Sequence, residues 1–161
     1  MPRPLRFSPP NSVHHVINRG NDRQCLFATP DYFEEFLDLV AWAKRVSPIR
    51  IIAYCLMHDH LHALLKDLAD DADFRRCVSM YKQRSSFAYR KRGCGSLWQE
   101  GYFKRVLRPD EDVIGVAAYI VTNPVRAGLC QSPTEYPYLG SPAYSLESLI
   151  DVVQVRPNSR P

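Results

Sequence analysis

At 161 residues the chain is about one domain long, enough to bury a core without disulfide or metal staples. A 45% hydrophobic and 24% charged composition is that of a folded globular protein, and a net charge of +4 is too mild to identify a partner. No apolar run approaches the roughly 18 residues of a membrane span, the Pro-rich start MPRPLRFSPP lacks a signal peptide's apolar region, and five scattered cysteines without a C-x-x-C pair point to reduced thiols in a cytoplasmic protein.

Four of the 13 prolines fall within residues 1–10 and five from Pro133 onward. Proline neither continues a helix nor donates to a ladder, so the folded body is expected from about Ser12 to Cys130. Val13 to Asn18 reads as a short strand, followed by the turn-like Arg19-Gly20-Asn21-Asp22. Thr29 then caps a helix with Pro30 at its first position, and Phe33, Phe36, Leu37 and Val40 form one buried stripe. Ile49 to Met57 and His60 to Lys66 read as a hairpin turning at His58-Asp59. Asp67, Asp70, Asp71 and Asp73 precede a helix over about Phe74 to Arg92, which Gly93 ends. Tyr102 to Arg108 is a fourth strand, and Pro109-Asp110-Glu111 opens a third helix that Pro124 ends or kinks. The order β-α-β-β-α-β-α predicts an α+β architecture: an antiparallel sheet of four to five strands with helices on one face.

Charge concentrates between Phe74 and Arg108, with ten basic residues and one acidic residue, Glu100. Tyr81, Phe87, Tyr89, Trp98, Tyr102 and Phe103 are interleaved with them. Bases that track a phosphate backbone and aromatics that stack on nucleobases form a single-strand-binding signature. A solvated helix face with ordinary core aromatics gives the same pattern, and composition leaves both readings open.

The densest chemical signal is Met57-His58-Asp59-His60-Leu61-His62. Side chains alternate along a strand, so His60 and His62 share one face while Leu61 turns to the core. Two imidazoles so placed can ligate one metal ion. The third helix, Glu111 to Asn123, has an apolar arc of Val113, Ile114, Ala117, Ile120 and Val121. Opposite it lie Asp112, Gly115, Tyr119 and Asn123, with Tyr119 and Asn123 one turn apart and Gly115 leaving open space before Tyr119.

These elements together resemble the single-tyrosine HUH transposases, specifically the REP-associated tyrosine transposase branch of the insertion-sequence-type family. The carrying residues are His15-Val16-Ile17-Asn18-Arg19-Gly20-Asn21 with Leu26-Phe27, the stretch from Ala53 to His62, Leu97-Trp98-Gln99-Glu100-Gly101-Tyr102-Phe103, and Ala118 to Leu129. The resemblance implies a ferredoxin-like catalytic domain, assigned to residues 1–132, and the prolines from Pro133 onward leave an irregular C-terminal extension over 133–161. It implies that His60 and His62 hold a divalent metal, Mg or Mn, with Asn123 as third ligand, and that Tyr119 is the catalytic nucleophile. His58-Asp59 stands where the family more often has Pro-Asn or Pro-Glu, leaving His58 as a further ligand, a supporting group or an inert residue. DNA contacts are expected from Arg19, Arg23, Lys82, Arg84, Arg90, Lys91, Arg92, Trp98, Gln99, Lys104, Arg105, Arg108 and Arg126.

The implied reaction is a metal-dependent nick in single-stranded DNA beside a palindromic hairpin. Tyrosine attack leaves a 5′-phosphotyrosine and a free 3′-OH, so the strand can be rejoined without ATP. The implied protein works as a monomer or homodimer away from membranes. Two alternatives stand beside it: a metal-free histidine-triad nucleotide hydrolase, suggested by His58-x-His60-x-His62, and a domesticated DNA-binding protein that no longer cuts. A purely structural domain is a third.

Overall fold

Five strands and five helices form from residues 9–69, 73–93 and 95–155, the parts described by the structure, a computed structural model. Residues 1–8, 70–72, 94 and 156–161, among them Asp70, Asp71 and Cys94, lie outside the described residues. In chain order the elements are β1 (Val13–Arg19), α1 (Pro30–Arg45), β2 (Ile49–Leu56), β3 (His60–Asp67), α2 (Phe74–Lys91), β4 (Phe103–Val106), α3 (Val113–Val121), α4 (Asn123–Arg126), β5 (Leu139–Gly140) and α5 (Leu146–Val155). All strand pairs are antiparallel, in the order β4-β1-β3-β2-β5. The first four strands with α1 and α2 make the ferredoxin-like βαββαβ arrangement.

The helices occupy both faces of the sheet, which corrects the expectation of one covered face. Leu61, Ala63 and Leu65 of β3 join Phe36 of α1 and Phe74, Cys77, Val78 and Tyr81 of α2 in one core. The intervening Leu64 joins Ala53 and Cys55 of β2, Val116 to Val121 of α3 and Leu149 of α5 in a second. A register shift between Ile51 and Ala53 swaps the faces of β2, so that Ile49 and Ile51 enter the first core and Ala53 and Cys55 the second.

Within the described residues the segment from 133 to 155 is likewise not irregular. It folds as a 3-10 turn (Pro133–Glu135), β5 and α5, and Leu149 is fully buried against α3. Ser145 Oγ accepts from the Ser148 amide at 3.2 Å, tying down the start of α5.

Local signals otherwise act as expected. Thr29 is the N-cap residue of α1 with Pro30 inside it, although its side chain makes no capping bond. Asp73 caps α2, accepting from the Arg75 amide at 3.0 Å. Asp67, grouped in the sequence with the helix-start acids, is instead buried at the end of β3, where it meets His14 Nε2 at 2.8 Å. Gly93 ends the α2 region with a φ of +78°. Pro124 breaks the third helix: α3 stops at Val121 and α4 starts at Asn123.

Candidate active site

The register of β1 against β3 builds the site. Ile17 lies opposite His62 and Arg19 opposite His60, so His15, Ile17, Arg19, His60 and His62 share the α3 face of the sheet. The two expected ligands are thus side by side, with ring centroids 5.2 Å apart. The β2–β3 turn that delivers them is pinned from outside. Met57 N donates to His60 O at 2.8 Å, Gly20 N to Asp59 O at 2.8 Å and Leu26 N to His58 O at 2.8 Å. Gly20 is required there, since a Cβ would lie 2.6 Å from Gln24 O. His58 is exposed on the turn.

Each histidine has its Nδ1 engaged. His60 Nδ1 meets Asp59 Oδ1 at 2.6 Å, and His62 Nδ1 meets His15 Nε2 at 3.0 Å. Nε2 is therefore the ring nitrogen left for a ligand on both. Burial, followed by the charges of its neighbours His15, His60, Arg126 and Arg19, pushes His62 down to about 3. Burial and then Arg105 push His15 down to about 4. Burial works against ionised Asp59, but the hydrogen bond from His60 prevails and holds its carboxyl below the usual range. At neutral pH His15 and His62 are accordingly uncharged, and for His62 that is the ligating form.

Above this face runs the α3–α4 break. Tyr119 is half-buried, and Arg126 covers its ring, the guanidinium carbon lying 3.8 Å from the centroid. Tyr119 O, at the break, accepts from Arg126 Nη2 at 2.8 Å and from Thr122 Oγ1 at 3.2 Å. Arg126 Nη1 also reaches Thr122 Oγ1 at 2.6 Å. Three contacts thus hold one guanidinium across the break. Gly115 does not open space beside Tyr119: Asp112 folds over it, and a Cβ there would lie 2.8 Å from its carboxylate. Ile114, expected on the apolar arc, is 39% exposed.

Asn123 Nδ2 is buried and has no hydrogen-bond partner. Since amide nitrogen and oxygen interchange by a flip, the unfilled position suits an oxygen facing a cation equally well. Among the described residues no three His, Cys, Asp or Glu side chains converge as a ligand set. A metal on His60 and His62 would need a donor of another kind, and Asn123 carries an unpartnered buried amide on the helix that follows α3.

The expected DNA-contact residues separate into groups. Arg19, Arg105 and Arg126 lie on the histidine side, with Arg105 ion-paired to Glu111. Lys82, Arg84, Arg90, Lys91 and Arg92 ride on or just past α2, which packs on the opposite face. Lys104 alternates to that face too, over the Phe74 ring at 5.0 Å. Arg23 is exposed in the 3-10 turn Asn21–Arg23, Arg108 follows β4, and Gln99 is exposed. Trp98, expected to contact DNA, is instead core: it is 7% exposed, bridges to Gly20 and donates Nε1–H to Ser85 Oγ at 2.9 Å. Sequence reasoning placed neither His15 nor Asp59 in the site. Their type was visible, but the β1–β3 register that brings His15 to His62 was not.

The model of the family described as "Transposase IS200 like" matches residues 10–123. A Haemophilus influenzae Rd protein provisionally named a REP-associated tyrosine transposase is 25% identical over 124 residues, 67% of this chain and 68% of that one. The REP-associated tyrosine transposase of Escherichia coli K12 is 24% identical over 123 residues, 76% of this chain and 72% of that one. Among solved structures, a REP-associated tyrosine transposase bound to a REP hairpin superposes with a TM-score of 0.73 at 19% identity, covering 99% of this chain and 89% of that one. No helix among the described residues is long and apolar enough to cross a membrane. A family match spanning most of the chain, on a sheet whose paired histidines lie beneath a tyrosine-bearing helix, makes this protein a member of the IS200-like transposases, similar to their REP-associated tyrosine branch.

Proposed function

We propose that the chain is a metal-dependent nickase and strand transferase for single-stranded DNA, cutting beside a hairpin with Tyr119 as nucleophile. The observation that carries this reading is the His60–His62 pair with both Nδ1 atoms engaged, on the face covered by the helix bearing Tyr119. His60, His62 and the Asn123 amide would hold a divalent ion, Mg or Mn, which when bound supplies Lewis-acid polarisation of a phosphate oxygen. Mg prefers oxygen donors while imidazole favours Mn and later metals, so two His and one amide favour Mn among these ions.

The Tyr119 hydroxyl attacks the scissile phosphorus in line. The Oη–P bond forms, the P–O3′ bond breaks, the phenolic proton passes to solvent, and the departing 3′ oxygen takes up a proton. The phosphotyrosine retains the energy of the broken ester for rejoining. Arg126 holds the Tyr119 ring and places positive charge beside the developing negative charge. Packing of α3 on β2 and β3 of the same chain supports a tyrosine that works in cis. A hairpin partner follows from the relative that binds one.

A labelled single-stranded hairpin with Mn, followed on a denaturing gel, tests this. Wild type should leave a protein–DNA adduct and Tyr119→Phe none. A Tyr119→Phe protein cutting at the wild-type rate, or full activity in chelator, overturns the reading. DNA binding without any adduct would instead identify a domesticated protein.

A further inference from the structure

We infer that Phe103 is a base-stacking subsite, taking the nucleobase of one of the two nucleotides that flank the scissile phosphate. The inference rests on the proposed single-strand cutting and adds a contact to it. Phe103 is an aromatic side chain 54% exposed at the first residue of the edge strand β4. In the sheet register it lies opposite Ile17, which in turn lies opposite His62. Residues opposite one another point to the same side, so Phe103, Ile17 and His62 form one row on the histidine face. Two strand spacings put the Phe103 and His62 backbones about 10 Å apart. That separation suits a base whose own or neighbouring phosphate sits over His60 and His62.

The surroundings favour a flat, apolar ligand with a charged tether. Half-buried Ile17 floors the gap between Phe103 and His62. The Phe103 ring meets His15 edge-on at 6.5 Å between centroids, which fixes one side of it. Arg105, two residues along β4 on the same face, is ion-paired with Glu111. The ring therefore meets solvent beside an imidazole wall, with Arg19 on the same face to meet a phosphate, and every nucleobase offers a π-face for such a shelf regardless of sequence.

The test uses the full chain and hairpin single strands with 2-aminopurine at each flanking position in turn. In a Tyr119→Phe background, which leaves the DNA uncut, quenching is expected at one of the two positions. Phe103→Ala should abolish that quenching and Phe103→Tyr should retain it. With Tyr119 present, Phe103→Ala should raise KM for adduct formation by about tenfold or more, the effect of one lost base stack. An abasic nucleotide at the same position should raise KM similarly and leave Phe103→Ala nothing further to remove. Because the ring is exposed, the melting temperature should not move. Unchanged quenching and KM in Phe103→Ala, or fully additive losses with the abasic strand, overturn the subsite. So does an altered oligomeric state of Phe103→Ala by light scattering with DNA binding unchanged, which would make β4 an edge for another chain. If wild type forms no adduct, the proposed function falls as well. If it does and Phe103→Ala equals it, only the subsite falls.

Discussion

His15 Nε2 lies 3.0 Å from His62 Nδ1, so one buried imidazole ends on another. The arrangement at His60 is different, because Asp59 can only accept and so keeps the hydrogen on Nδ1. An imidazole can donate or accept. When His62 donates, its Nε2 is bare and ready to ligate; when His15 donates, His62 Nε2 carries the hydrogen and is closed to a metal. His15→Ala and Asp59→Ala should each lower Mn affinity by about 10- to 100-fold, the usual cost of removing a partner behind a metal-bound histidine. Calorimetric titration of Mn into the DNA-free protein measures this. Wild-type affinity in both variants would mean that the histidines are not ligands.

Acid should unfold the protein through the same pair. His15 and His62 have folded pKa values of about 4 and about 3, both below the unfolded value near 6.5. Below about 6.5 the unfolded chain binds protons that the native one refuses. The stability conferred by these neutral rings is therefore full above that pH and lost as pH falls toward the folded values. Each ring contributes a slope of up to about 1.4 kcal/mol per pH unit in that window. His14, lowered by burial against the opposing hydrogen bond to Asp67, acts in the same direction. Urea melts between pH 7 and pH 4.5 should show this slope, and His15→Asn should flatten it.

Tyr119→Phe should keep its fold to within about 0.5 kcal/mol, because the ring that Arg126 covers is retained. Covalent product should be absent. Thermal melts beside the adduct gel separate loss of chemistry from loss of structure.

Arg126→Lys keeps the charge but loses the fork that reaches both Tyr119 O and Thr122 Oγ1. The tyrosine should then be less well held, so kcat for adduct formation should fall about tenfold or more while DNA affinity stays near wild type. A fall in affinity with kcat unchanged would make Arg126 a phosphate contact instead.

The α2 cations lie on the opposite sheet face from the histidines, so a binding role for them can be tested apart from the proposed chemistry. Arg90→Ala with Lys91→Ala should weaken single-strand binding and reduce the salt slope by about 0.7 for each lost phosphate contact. Cleavage of fully bound DNA should be unchanged. An unaltered salt slope would show that this helix face is simply solvated.

The sequence made one face of the site legible because strand alternation is local: His60 and His62 had to share a side once β3 was recognised. Pro124 marked the helix break, and Gly93 the end of α2. What depends on pairing was hidden. Trp98 among basic residues looked like a stacking platform until its bridge to Gly20 drew it into the core. The bulge that swaps the faces of β2 between Ile51 and Ala53 has no one-residue signature. The C-terminal helix was obscured by Pro133, Pro137 and Pro142, yet Leu146, Leu149 and Val152 recur at helical spacing just beyond them.

That helix ties the placement of Tyr119 to a segment beyond the family match at residues 10–123. Leu64 of the sheet and Leu149 of α5 share one core with Val116 to Val121 of α3, and only the sheet belongs to the part that holds the histidines. A stop codon near position 133 would spare His60, His62, Tyr119 and Asn123 while removing Leu149 from that core. A gene so shortened would keep every motif residue and lose a support of the helix that carries Tyr119, so an inventory of intact motifs would not register the damage.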